Sequence, residues 1–344
     1  MCYNIATMKK KRIASLLLLA PLALFAACST TPKLGLEANW FNQVSTKTIP
    51  DDFKETLEYK VTFEQSTSSR NGNFSMDYPN GGTYTTTFEG GSKDGKKIYV
   101  YSTTLTMQVQ YTLNGEKSKL LDDVVTTRVE FMDVANELKP ISSSRVVHAT
   151  APASTSSSPA TTLSAAYKKL DYKTEITYNH EKQRASFNLT YLTAEDEIDT
   201  AKSKNNIENR EIKIKCKGTF FDNEQLIPAL RAAELSSSMA LYTIDSQECS
   251  LDKLSVKDGP TAVTVKQSVK LKTDEAATEH EFEAYEIGLA YNKQNSGGTQ
   301  TFTIAKRKAP DSNTNRNVLL KYKYPVIYSH GTLTYSLIAA NFYD

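Results

Sequence analysis

The chain has 344 residues, with 41 Lys and Arg against 39 Asp and Glu, a formal net charge of +2. Four of the basic residues, Lys9, Lys10, Lys11 and Arg12, fall within the first 28 positions, which hold no acidic residue, so the remaining 316 residues (344 less 28) carry 37 basic against 39 acidic groups, a net of −2. That balance leaves no basic excess to meet phosphates, so nucleic acid is excluded as an expected partner, while the length suffices for one large core or two ordinary ones.

The N-terminus reads as an address. Behind the cationic run stands an apolar stretch, Ile13 to Ala27, whose small residues Ala26 and Ala27 precede Cys28. Charge, apolar core and small-residue cleavage site follow one another as in a signal peptide. The stretch has about 15 residues and contains Pro21, short of the roughly 20 that cross a bilayer as a helix. Leu24-Phe25-Ala26-Ala27-Cys28 resembles the lipobox of bacterial lipoproteins, with Phe25 where that family usually carries a small or aliphatic residue. The resemblance implies lipidation of the Cys28 thiol, cleavage before it, and an extracytoplasmic chain held to the membrane by its N-terminal lipid. Ser29 in place of Asp implies the outer membrane in a host with two membranes. In a host with one, the outer face of the plasma membrane is expected. Each buried methylene contributes about 0.8 kcal/mol, so two or three acyl chains hold a protein where one myristoyl chain binds only marginally. An ordinary secretory signal with an unrelated cysteine is the alternative. Met8 is the expected initiator, and residues 29–50 are read as a tether that begins to pack at Leu36, Trp40 and Phe41.

From position 51 to 344 the sequence predicts one β-rich extracytoplasmic domain. Leu57, Tyr59, Val61 and Phe63 alternate with Glu58, Lys60, Thr62 and Glu64, the period of a half-buried strand. Phe74, Met76 and Tyr78 repeat the pattern, Pro79-Asn80-Gly81-Gly82 is expected to turn the chain, and Tyr84, Thr86 and Phe88 to return it. Gly90 to Gly95 reads as a loop. A long strand is predicted over Lys97–Leu113, with Tyr99, Tyr101, Leu105, Met107, Val109 and Tyr111 on one face. Asn114-Gly115 is a hairpin signal, and Val125, Thr127, Val129 and Phe131 mark the returning strand.

Ser142 to Ala166, rich in Ser, Thr, Ala and Pro, breaks the pattern and reads as a flexible loop. It joins two β halves or, the favoured reading, interrupts one continuous sheet. Tyr172, Thr174, Ile176 and Tyr178 then pair with Ala185, Phe187, Leu189 and Tyr191 across Asn179–Lys182. Residues 194–209 are polar, a loop or a short solvated helix. Ile212 to Cys216 begins a strand. Phe221 to Arg231 is the best helix candidate, capped by Asp222 with Gln225 three residues on, and kept short by Pro228. Strands are expected again at Val263 to Leu271, Phe282 to Tyr291, Gln300 to Ile304, Val318 to Tyr322 and Thr332 to Ala340.

The predicted fold class is therefore mainly β: large twisted antiparallel sheets, as a curved clasp or sandwich, with one or two short helices. The segment Phe221 to Arg231, FDNEQLIPALR, lies between strands. It resembles an uncharacterised bacterial envelope domain family in which a long curved sheet clasps a helix, akin to periplasmic lipoprotein carriers. That resemblance implies an open, apolar-lined concavity.

Cys216 and Cys249 are the cysteines left after removal of Cys2 and lipidation of Cys28. An oxidising compartment permits a disulfide between them, worth about 3–4 kcal/mol for a loop of this length. Two buried free thiols are the alternative. His148, His180, His280 and His330 have no ligand spacing and read as four surface residues. Ser250-Leu251-Asp252-Lys253 matches Ser-x-x-Lys without its partner motifs, and no serine elbow, phosphate loop or dinucleotide fingerprint is present. No metal and no cofactor are expected. The favoured function is a non-enzymatic binding or scaffolding module of the cell envelope. Its partners are the membrane through the lipid, and a lipid or envelope protein. The candidate apolar lining is Tyr99, Tyr101, Leu105, Met107 and Tyr111. A structural or adhesive surface protein is the second reading, and an envelope hydrolase the third.

Overall fold

A computed structural model describes residues 54–66, 73–134, 137–154, 158–193, 209–215, 219–245, 250–271, 274–292, 298–306, 317–326 and 330–343. The described residues form a mainly β fold, one large, mostly antiparallel sheet with a single short α-helix. Alternation places the first strand, β1 (Lys54–Gln65), with Leu57, Tyr59 and Val61 buried and Glu58 and Lys60 in water. β2 (Phe74–Asp77) and β3 (Gly82–Lys93) follow. Both run antiparallel to β4 (Lys96–Leu113), β2 against its last residues and β3 against the rest. The chain therefore does not turn back at Pro79–Gly82, as the Pro-Asn-Gly-Gly signal suggested. It kinks there and continues in the same direction, because both segments find their partner along one 18-residue strand. Gly90 and Gly91 are likewise strand residues, and the turn is confined to Asp94 and Gly95. Both have positive φ, as do Asn114 and Gly115 at the next hairpin, the conformation that two-residue turns between right-twisted strands require.

β5 (Glu116–Lys117), β6 (Leu121–Val134), β7 (Glu137–Pro152), β8 (Tyr167–Asn179), β9 (Arg184–Tyr191) and β10 (Asn209–Lys213) complete the first half. The β8–β9 register pairs Tyr172, Thr174, Ile176 and Tyr178 with Tyr191, Leu189, Phe187 and Ala185, as the alternation required. The flexible loop expected over residues 142–166 is corrected. Residues 142–152 lie in β7, paired with β8 throughout and, from 142 to 148, with β6 on the other edge as well. A backbone held on both edges has its polar groups satisfied whatever the side chains. The Ser, Thr and Ala content of this stretch therefore reflects what its faces meet. Connecting structure is limited to the residues after Pro152, with a one-turn 3-10 helix at Leu163–Ala165.

Beyond β11 (Phe220–Asp222), a 3-10 turn at Asn223–Gln225 leads into α1 (Leu226–Ala232), short as Pro228 demands. The second half is β12 (Ala240–Ile244), β13 (Leu251–Leu271), β14 (Thr278–Tyr291), β15 (Gln300–Ala305), β16 (Leu319–Pro325) and β17 (Gly331–Tyr343). Sheet order runs β10-β9-β8-β7-β6-β4-β3-β1-β17-β16-β15-β14-β13-β12-β11, antiparallel except for β11 on β12. The favoured reading of one continuous sheet agrees with this order. The sheet bends so far that Lys270 and Leu271, at the end of β13, pair with Ala339 and Ala340 of β17. One core cluster gathers strands of both halves around α1, beside two smaller clusters. Cys28, Trp40 and the tether lie outside the described residues, as do Cys216, Cys249 and residues 194–208. Among the described residues no helix is long and apolar enough to cross a membrane.

Candidate functional site: a tyrosine-lined cavity under the helix

The site is built by the way α1 is seated in the bend of the sheet. Asp222 caps the preceding turn by accepting from the Glu224 amide at 2.8 Å. Its other oxygen accepts from the hydroxyls of Ser143 on β7 and Tyr178 on β8, both at 2.5 Å. Asp222 is fully buried. Burial, and next the charge of Glu224, push its carboxyl up to about 7, against the opposing pull of its hydrogen-bond donors. At the other end of the helix Arg231 reaches Glu55 of β1 with two parallel bonds of 2.5 and 2.8 Å, both side chains essentially without solvent exposure. Its Nε donates to the Asn317 carbonyl at 3.0 Å. An alternating strand puts Glu55 on the same face as Leu57 and Tyr59, where only a buried cation makes a carboxylate tolerable.

Between the helix and the sheet lies a cavity of about 310 Å³. One wall is Tyr84 of β3, Tyr101, Thr103 and Leu105 of β4, and Val125 and Thr127 of β6. The facing wall is Tyr291, Gln300, Phe302, Tyr322, Tyr324, Leu333 and Tyr335, from β14 to β17. Asn223, Glu224, Leu226 and Ile227 close one side, with Arg145 and Asp245. Register explains the aromatic wall. Phe302, Tyr322 and Tyr335 are direct cross-strand partners on three neighbouring strands, as are Tyr59 and Tyr84 on β1 and β3. The rings run in a belt with centroids 4.7 Å apart for Phe302–Tyr322 and 5.2 Å for both Tyr322–Tyr335 and Tyr335–Tyr84. Such cross-strand aromatic pairs each add a few tenths to about 1 kcal/mol.

Polar groups converge on the same space. Arg145 Nη1 donates to Glu224 Oε1 at 3.0 Å, tying β7 to the turn. Tyr322 donates to Gln300 at 2.9 Å, and Tyr291 donates to Asn223. The Thr103 and Thr127 hydroxyls bond to each other at 2.8 Å. Burial raises the tyrosine hydroxyls well above their ordinary range, Tyr84 and Tyr322 among them, so they stay neutral. An apolar concavity with a few fixed polar groups is the common form of a small-molecule site, and its volume sits at the lower end of the usual range.

Of the five residues proposed for an apolar lining, Tyr101 and Leu105 face this cavity. Tyr99 is packed between Phe88 and Phe131, with centroids at 5.8 and 5.7 Å. Met107 is buried in the same core. Tyr111 belongs to a separate cluster, stacked on Tyr167 at 4.7 Å. A strand of 18 residues is long enough for one of its faces to serve three different environments. The facing tyrosines escaped sequence reasoning because they are spread over three late strands, β14, β16 and β17. The period-two placement of Tyr322, Tyr324, Leu333 and Tyr335 was the signal that would have found them.

Elsewhere the chemistry is thin. The reading of four surface histidines is corrected for His330, which is buried and meets the Phe74 ring edge-on at 5.4 Å. His148 pairs with Asp171 at 2.7 Å, and His180 bonds the Pro140 carbonyl at 2.6 Å. Thr278 and Asp274 both contact Nε2 of His280, at 2.8 and 3.2 Å. A hydroxyl–imidazole–carboxylate relay uses opposite ring nitrogens, so this trio is a turn contact. Among the described residues no group of three or more His, Cys, Asp or Glu is placed to hold a metal. A larger groove of about 610 Å³ lies at the β4–β5 hairpin, lined by Lys117, Ser118, Lys119 and residues 161–164. It has no aromatic belt and rests on connecting segments. Comparison with protein families, with curated proteins and with solved structures returns no match to this chain.

Proposed function

We propose that this chain is a lipid-anchored, non-enzymatic binding module of the cell envelope. It is tethered through Cys28 and holds a small amphipathic ligand in the cavity between α1 and the sheet. The observation that carries the reading is the cavity itself: a belt of tyrosine and phenylalanine rings facing Leu105 and Val125, with Arg145, Glu224 and Asp245 at one side. The anchor is supported by the lipobox-like run Leu24 to Cys28, and the extracytoplasmic address by the charged and apolar segments before it. At 310 Å³ the cavity equals about ten water molecules, each occupying roughly 30 Å³ in the liquid. It suits a compact ligand or the end of a longer one.

The test is native mass spectrometry of the full chain, extracted from host membranes in mild detergent. A protein mass carrying both the acyl modification and a released small molecule is expected. A bare polypeptide after exposure to a host small-molecule and lipid extract would turn the search toward structural or adhesive roles on the cell surface.

A further inference from the structure

The hydrogen-bonding groups that the cavity leaves open are uncharged. Arg145 is committed to Glu224 at 3.0 Å, and Asp245 is engaged as well. The Arg145 Nε has no partner among the described residues, but it is sealed from contact. Gln300 is 6% exposed, and its Oε1 accepts from Tyr322 at 2.9 Å. Its Nε2 has no partner among the described residues and is not sealed off. Tyr335 is 7% exposed, with its ring against Tyr84 and Tyr322. Its hydroxyl is likewise without a partner among the described residues, and unsealed. On the opposite wall the Thr103 and Thr127 hydroxyls bond each other at 2.8 Å and keep acceptor capacity to spare. A ligand entering here displaces water from these groups, so it must return their hydrogen bonds or lose affinity. Leu105, Val125 and Leu333 supply apolar surface between them. An acyl chain or a single-headed amphipath calls for polar partners at one end only. A ring with hydroxyls around its rim and C–H groups on its faces matches polar groups on both walls.

Resting on the binding-module reading, we infer that the cavity takes one uncharged pyranose sugar. Its hydroxyl oxygens accept from Gln300 Nε2 and the Tyr335 hydroxyl, and it donates to the Thr103–Thr127 pair. A space of about ten water volumes is the scale of a single such ring. A free monosaccharide and the end of an envelope glycan offer the same ring. Because neither partner brings an open charge, association is expected to be insensitive to salt.

The probes are D-glucose, D-galactose, D-mannose and N-acetyl-D-glucosamine, titrated calorimetrically into the full chain in a sugar-free detergent. Cyclohexylmethanol serves as a ring with one hydroxyl, and D-glucuronate as a charged ring. At least one neutral pyranose is expected to bind more tightly than either control. Tyr335→Phe, which removes one oxygen and keeps the ring, is expected to weaken it about fivefold, and Gln300→Leu about as much. Where Gln300→Leu does not fold, Tyr335→Phe alone decides. The methyl glycosides of the bound sugar identify its source: binding kept by one of them marks a glycan end, and binding lost by both marks a free sugar. Equal or tighter binding of cyclohexylmethanol or glucuronate overturns the sugar, and so does sugar binding that Tyr335→Phe leaves unchanged. A ligand retained from host extract by a protein with no affinity for these pyranoses overturns it too, and that result leaves the binding module standing. If neither extract nor any probe yields a bound species, both readings fall.

Discussion

Two buried carboxylates carry opposite consequences for stability. Glu55 meets Arg231 with no solvent on either side. Removing one partner of such a pair leaves an uncompensated buried charge, at about 3–5 kcal/mol. Glu55→Gln is therefore expected to lower the urea midpoint by that equivalent, whereas Glu55→Leu combined with Arg231→Met recovers most of it. Asp222 is held by neutral donors, the Ser143 and Tyr178 hydroxyls and the Glu224 amide, and burial raises its carboxyl from 3.8 to about 7. A folded value above the unfolded one means that the linked stability is complete below about pH 4 and is lost as pH rises through 7. Acidification from pH 8 to pH 4 is expected to stabilise the wild type relative to Asp222→Asn by up to about 4 kcal/mol. Paired urea titrations at the two pH values check this, and a difference that does not change with pH contradicts the raised carboxyl. Neither carboxylate was legible in the sequence as a buried group. Asp222 announced itself as a helix cap. Glu55 stands just before the alternating run, and its parity with Leu57 and Tyr59 already placed it on the apolar side.

At the scale of elements, alternation was read well where it was strict. The β4 face and the β8–β9 register follow directly from residues two apart. The same rule failed at β7, because Ser142, Ser143 and Ser144 carry no hydrophobic signal. Ser143 is small and hydroxylic for a reason that lies 79 residues away, the bond to Asp222. Long-range demands of this kind leave no local trace. Hydrogen exchange is expected to show the amides of residues 142–148 protected as strongly as those of β6, since both stretches are paired on two edges. Exchange at the rate of an open loop would contradict the strand. β13 hides for a related reason. Gly259 and Pro260 interrupt its pattern, and the strand absorbs them as an irregularity opposite β14. Pro79 to Gly82 shows the converse, since strong turn residues also serve as a kink when one long partner strand spans both sides.

For the whole molecule, the curved sheet explains why residues far apart in sequence share one cavity. Tyr84, Arg145, Glu224 and Tyr322 are brought together only because β13 returns to β17 and the helix is pinned to both β1 and β7. The cavity's facing wall was not legible from the stripe on β4 alone. The proposed anchor makes a separate prediction. Cys28→Ala is expected to abolish incorporation of a labelled fatty acid and to move the protein from the membrane to the soluble fraction, as scored by fractionation. Unchanged labelling would place the lipid elsewhere.

The central claim is that the ligand sits between α1 and the sheet. Hydrogen-exchange mass spectrometry of the full chain, with and without host small-molecule extract, tests it most directly. Added protection is predicted in residues 223–227 and in the strands carrying Tyr322 and Tyr335, with no change at residues 113–119. Protection confined to that hairpin groove, or no change anywhere, would contradict it.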